Sequence, residues 1–120
     1  PVVLFQHYGW DRFSTEHWDP AAKTFDPQGG DPAHWWTDEE RAGLLSTLKG
    51  YNVVGIFHGH EHPTPMIYNR EGYDIFKPVA AFMGGFALVR VTDAFMDVVL
   101  ARAGDTPSTP VFTHAFSKRS

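Results

Sequence analysis

The 120-residue chain contains no cysteine. Disulfides and thiolate metal sites are therefore excluded, and any metal must be held by histidine, carboxylate or amide groups. There is no basic excess either. Lys and Arg number 10 against 14 Asp and Glu, giving a net charge of -4, and only Lys118 and Arg119 adjoin each other. That distribution lacks the cationic footprint of a nucleic-acid groove or of a protein that rides on anionic lipid, so neither a nucleic acid nor a membrane is expected as a partner. No apolar run approaches the length of a membrane helix, and no charged-then-apolar start resembles a signal peptide. The opening Pro1-Val2-Val3-Leu4-Phe5 reads instead as a buried strand from its first residues. On that reading the chain is expected to be a piece of a longer protein.

What the chain does have is large apolar side chains: 10 Phe, 4 Trp and 4 Tyr in a length that suits one core. "PVVLFQ" predicts a short buried strand ending at His7. The stretch from Gly9 to Trp36 follows, with Pro20, Pro27, Pro32 and all four tryptophans but no clear periodicity. A connection of that length is a functional lid or a disordered insert, and its aromatics argue against disorder. Thr37 and Glu40 fit a capping box, Leu44, Leu45 and Leu48 give one apolar helix face, and Gly50 is a natural stop. A second buried strand, Val53 to Phe57, comes next. Strand, helix, strand is a βαβ crossover, which makes the strands parallel and puts their C-terminal ends at one sheet edge. The remainder reads as antiparallel. "MIYNREGYDIF" is a hairpin turning at residues 69–72, and "VAAFMGGFALVRVTDAFMDVVLARA" supplies two or three strands bent at Gly84-Gly85 and turned at Thr92-Asp93. Residues 104–120 form a linker-like tail in which "VFTHAF" can add an edge strand.

The second strand runs straight into "HGHEH", which places His58, His60 and His62 at alternate positions. Neutral imidazole is a favoured ligand for zinc, iron and manganese, so affinity should fall as pH drops through the histidine range. Gly59 permits a sharp turn that lets alternate histidines face one point. If the two parallel strands are neighbours, His7 meets this group in the crevice where α/β sheets place ligands. "VVLFQHYG" and "VVGIFHGHEH" together resemble the C-terminal half of the calcineurin-like metallophosphoesterase family, in which a strand ending in a lone histidine precedes one ending in Gly-His-x-His. The resemblance covers most of residues 1–103. It implies the C-terminal portion of a four-layer α/β/β/α sandwich, with the later antiparallel strands in its second sheet. It implies two divalent ions (manganese, iron or zinc), with His7 and His60 on one and His62 on the other, and a phosphate ester as substrate. The reaction it implies is phosphatase or phosphodiesterase hydrolysis. The family's Asp-x-His, bridging Asp and Asn-His pair do not occur in these residues. The catalytic groups are accordingly expected upstream, and the chain alone is expected to be inactive.

Other readings stand beside this one. His58 precedes the glycine, where the family has no ligand, and fits a residue packed behind the site better than a ligand. Glu61 is expected to be solvated. Trp10, Trp35, Trp36 and Arg12 are candidates for a substrate pocket. The four tryptophans can equally pin the loop to the domain, and Arg12 can equally make a surface ion pair. His17, His34 and His114 carry no functional weight. The same residues allow two functional alternatives: a non-catalytic structural or interaction module, and a hydrolase with a single zinc on His58, His60 and His62. Half a sandwich would expose apolar sheet surfaces, so self-association of the chain is also expected.

Overall fold

The computed structural model describes residues 1–7, 9, 18–19, 24–25, 38–106 and 109–116. The pocket candidates Trp10, Arg12, Trp35 and Trp36, the histidines His17 and His34, and the N-cap Thr37 lie outside the described residues. The elements in chain order are β1 (Val2–Phe5), β2 (Trp18–Asp19), β3 (Thr24–Phe25), α1 (Asp38–Leu48), β4 (Val53–Phe57), β5 (Met66–Arg70), β6 (Tyr73–Lys77), β7 (Gly85–Val91), β8 (Phe95–Arg102) and β9 (Phe112–Ala115). A short 3-10 turn, Ala81–Met83, precedes β7. No helix among the described residues is long and apolar enough to cross a membrane.

The chain is mixed α/β. β1 and β4 are parallel neighbours, as a βαβ unit requires, and α1 crosses between them. The first sheet has the order β1-β4-β6-β5. β5 and β6 form the expected hairpin, turning through Glu71 (φ 54°) and Gly72 (φ 85°). Two successive positive φ values are those of a type I′ turn, whose twist matches the flanking strands. The hairpin departs from the reading of an antiparallel remainder in one respect. β6 joins the first sheet, parallel to β4, through Ile56↔Ile75 and Phe57↔Phe76. The second sheet is therefore built only from β7, β8 and β9, all antiparallel.

Three layers result among these residues. Leu44, Leu45 and Leu48 of α1 cover Ile56 and Ile75 on one face of the first sheet. On its other face Val54, Phe57 and Phe76 pack against Met96 and Val98 of β8, with Ala87, Val89 and Phe112 alongside. Ile56, Ile75, Phe76, Met96 and Val98 are wholly buried, and each such side chain contributes about 1.5–3 kcal/mol. The pairing of β1 with β4 steps from Val2↔Val53 to Val3↔Gly55, skipping Val54. The glycine stands beside this bulge and close to β8: a Cβ on Gly55 would lie 2.8 Å from Met96 Cε.

Candidate metal centre

β1, β4 and β6 are parallel, so all three deliver their C-terminal residues to one edge of the first sheet. Gln6 N–H donates to the Phe57 carbonyl at 2.9 Å, and Gly59 N–H donates to the His7 carbonyl at 3.0 Å. These two bonds carry the β1–β4 pairing past the end of the sheet and bring His7 beside the histidine segment. The result is a pair. His60 Nδ1 and His7 Nε2 lie 3.2 Å apart, with the ring centroids 5.1 Å apart and the planes at 74°.

His60 reaches His7 through an unusual backbone. Its φ is +71°, and Glu61 N–H donates to the Gly59 carbonyl across it at 3.0 Å. A positive φ with a bond from residue i+2 back to residue i is a γ-turn of the rare, strained kind. A non-glycine residue held in so sparsely populated a region costs on the order of 1–3 kcal/mol. The sharp turn thus falls on His60 itself and not on the glycine before it. Regular alternation breaks there, and the three histidines diverge. His62 is exposed, with its ring edge-on to Phe82 at 4.9 Å. Its carbonyl accepts from Ala80 N–H at 2.8 Å.

His58 turns inward and is 4% exposed. Its Nδ1 lies 3.1 Å from the Gly59 carbonyl and its Nε2 lies 2.8 Å from Tyr68 Oη. A carbonyl only accepts, so Nδ1 carries the proton and Nε2 accepts from the tyrosine hydroxyl. Burial pushes the pKa of the ring down to about 4, with Lys77 and His60 adding to the effect. The imidazole is therefore neutral.

Glu61 is also buried, at 8% exposure, which overturns the expectation that it is solvated. Its Oε2 pairs with Lys77 Nζ at 2.5 Å and lies 3.4 Å from Thr64 N–H. Lys77, the last residue of β6, is wholly buried. Its ammonium also donates to the Glu61 carbonyl at 2.7 Å and to the Pro78 carbonyl at 3.3 Å. Burial lowers the lysine pKa, and the Glu61 carboxylate beside it pulls the other way. Sequence reasoning missed Lys77 and Tyr68. The available signal was a lysine directly before Pro78, following the apolar pair Ile75-Phe76 at the end of a strand.

The donor chemistry of the His7–His60 pair suits a divalent ion. Two nitrogens each ~2.0–2.1 Å from one tetrahedral zinc lie ~3.3–3.4 Å apart, and the observed separation is 3.2 Å. No group of three or more His, Asp or Glu side chains gathers as a metal site among the described residues. An apolar hollow is lined by Phe5, Phe57, Pro78 and Ala87, with Gln6 and His58. No family model, curated protein or solved structure matches the chain.

Proposed function

We propose that this chain supplies part of the two-metal centre of a phosphoester hydrolase resembling the calcineurin-like metallophosphoesterases. In that reading His7 Nε2 and His60 Nδ1 hold one ion and His62 contributes to the other. The three layers found here belong to the family's four-layer α/β/β/α sandwich. The observation that carries the proposal is the meeting of His7 and His60 at 3.2 Å from the ends of adjacent parallel strands. Chain order, strand direction and donor type all agree with the family pattern at this point.

When bound, a pair of divalent ions supplies a water of lowered pKa and a clamp on the phosphoryl oxygens. The residues of this chain hold and orient. The γ-turn presents the His60 ring toward His7, and the neutral His58 ring, bonded to Tyr68, anchors the segment from below. The single-zinc alternative on His58, His60 and His62 finds no support, because both ring nitrogens of His58 face protein partners. The bridging carboxylate and the Asn-His pair are assigned to the rest of the parent protein, so the substrate is a phosphate ester of the assembled enzyme.

The test is calorimetric titration of the chain with zinc and with manganese, beside a His60→Ala/His62→Ala variant. Weak binding that the variant loses is the expected result. Restoring an upstream segment that carries Asp-x-His and Asn-His should then tighten binding and give hydrolysis of a phosphomonoester or phosphodiester. Identical titrations for the two proteins, persisting after the upstream segment is restored, would refute the assignment.

A further inference from the structure

The γ-turn at His60 needs an agent that holds it. On its N-terminal side the agents are backbone: His58 N–H donates to the Phe76 carbonyl at 3.0 Å, and Gly59 N–H to the His7 carbonyl at 3.0 Å. Immediately beyond the turn the arrangement changes. The Glu61 carbonyl is met by the Lys77 ammonium at 2.7 Å, and the Glu61 side chain is met by the same ammonium. Lys77 thus grips one residue of the turn at two points, main chain and carboxylate, from the end of a neighbouring strand. Its remaining donor goes to the Pro78 carbonyl at 3.3 Å. Three N–H donors meet three acceptors, which is the full capacity of the group.

A lysine in this place is a poor device for stability. Desolvating an ammonium and a carboxylate is costly, and apolar side chains of similar volume commonly serve a fold as well or better. What an apolar side chain lacks is direction. Methionine at residue 77 would fill the volume but would not bond the Glu61 carbonyl, and nothing in packing alone selects a positive φ at His60.

We infer that Lys77 is a positioning residue: from the buried end of β6 its ammonium locks Glu61, holds the strained turn at His60 closed, and so keeps the His60 ring beside His7. Its purpose rests on the metal-centre reading above; its geometry does not. Glu61 is then the handle by which the turn is gripped, which gives the "x" of this Gly-His-x-His segment a role of its own.

The experiment compares the 120-residue chain with Lys77→Met/Glu61→Leu and with Glu61→Gln. The first variant removes both buried charges together, and the second keeps the volume and weakens the grip. Two metal-free readouts report on the turn: the nuclear Overhauser contact between the His7 and His60 rings, and hydrogen exchange at the amides of Gly59 and Glu61. Exchange at β8 amides reports on the fold. For the double variant the expected result is loss of the ring contact and roughly tenfold faster exchange in the turn, with β8 protection retained. For Glu61→Gln the same amides should exchange a few-fold faster. A folded double variant that keeps the ring contact and the turn protection would overturn the inference. If that variant does not fold, unchanged turn exchange in Glu61→Gln overturns it instead. Zinc titration of the same proteins separates the two ideas. Wild-type protein that binds no zinc even with the upstream half restored counts against the metal reading, while the ring contact still decides the role of Lys77.

Discussion

A Cβ added at Gly85 would lie 1.9 Å from the Val79 carbonyl oxygen and 2.3 Å from its carbon. Both are backbone atoms, so the chain must move to admit even a methyl group. Gly55 is crowded differently: its nearest neighbours would be Met96 Cε at 2.8 Å and Phe76 Cε2 at 3.2 Å. A methionine end can swing aside, since its torsions are soft. Gly85→Ala is therefore expected to cost about 3 kcal/mol and Gly55→Ala about 1 kcal/mol. Urea unfolding of the two variants checks this, and equal costs would contradict it. The pair Gly84-Gly85 is legible in sequence as a bend, and the bend is there, with Gly84 at φ 84°. The close approach of Val79 is not legible, because it depends on a neighbour whose position no local pattern encodes. The histidines divide in the same way. That His7 and His60 reach one edge follows from the βαβ order alone. That His60 carries the sharp turn does not, since a glycine stands beside it and offers the cheaper place. Burial of Glu61 escaped for a related reason: its partner, Lys77, is sixteen residues away.

At the scale of elements, two features of the strands give separate tests. Glu71 holds φ 54° at the first central position of the β5–β6 turn, where asparagine bears a positive φ more readily than glutamate. Glu71 is exposed, so Glu71→Asn changes little else and should raise stability by roughly 0.5 kcal/mol in chemical denaturation. A loss of stability would argue against the I′ geometry. The second feature is a polar row across the second sheet. Arg90 on β7 faces Asp97 on β8, which faces Thr113 on β9. Arg90 donates through Nε at 3.0 Å and also through its terminal nitrogen, and Thr113 Oγ1 donates to the other carboxylate oxygen at 2.9 Å. The Arg90 hydrogen bonds hold the Asp97 carboxyl below the usual carboxylate range, with Thr113 assisting. A depressed folded-state pKa contributes stability above the unfolded value, about 3.9, and loses it as pH falls through the folded value. Wild-type protein should thus exceed Asp97→Asn in stability at pH 7, and the gap should close as the pH is taken below 4. A gap independent of pH would remove the carboxylate from the account. Apolar runs and alternation made β1 and β4 to β9 legible, including β9 within "VFTHAF", but not β2 and β3, which fall in the Gly9 to Trp36 stretch that shows no clear periodicity. These patterns did not reveal that β6 lies parallel to β4, because alternation identifies a strand and says nothing of its neighbour.

On the scale of the whole molecule, the first sheet is sheltered on both faces and the second on one among the described residues. Ala87 and Val89 point from β7 into the core between the sheets. Their alternates point outward: Phe86 is 38% exposed and Leu88 56% exposed, the latter opposite Val99. β7 is also a sheet edge among the described strands, so apolar side chains and unpaired ladder groups occur on one element. That combination is a template for association, and a net charge of -4 offers weak repulsion against it. The chain is expected to self-associate reversibly through β7, with a sedimentation coefficient that rises with concentration. Phe86→Thr/Leu88→Lys places a charge on the strand and reduces its apolar surface, and should shift association to at least roughly tenfold higher concentration. Phe5→Ser is the control, since Phe5 is 76% exposed but lies on β1, in the first sheet. If the chain sediments as a clean monomer at high concentration, the outward face of β7 is not a contact. If Phe5→Ser dissociates the chain and the β7 variant does not, the contact lies instead at the edge that carries His7, and self-association and metal binding would compete for the same end of the sheet.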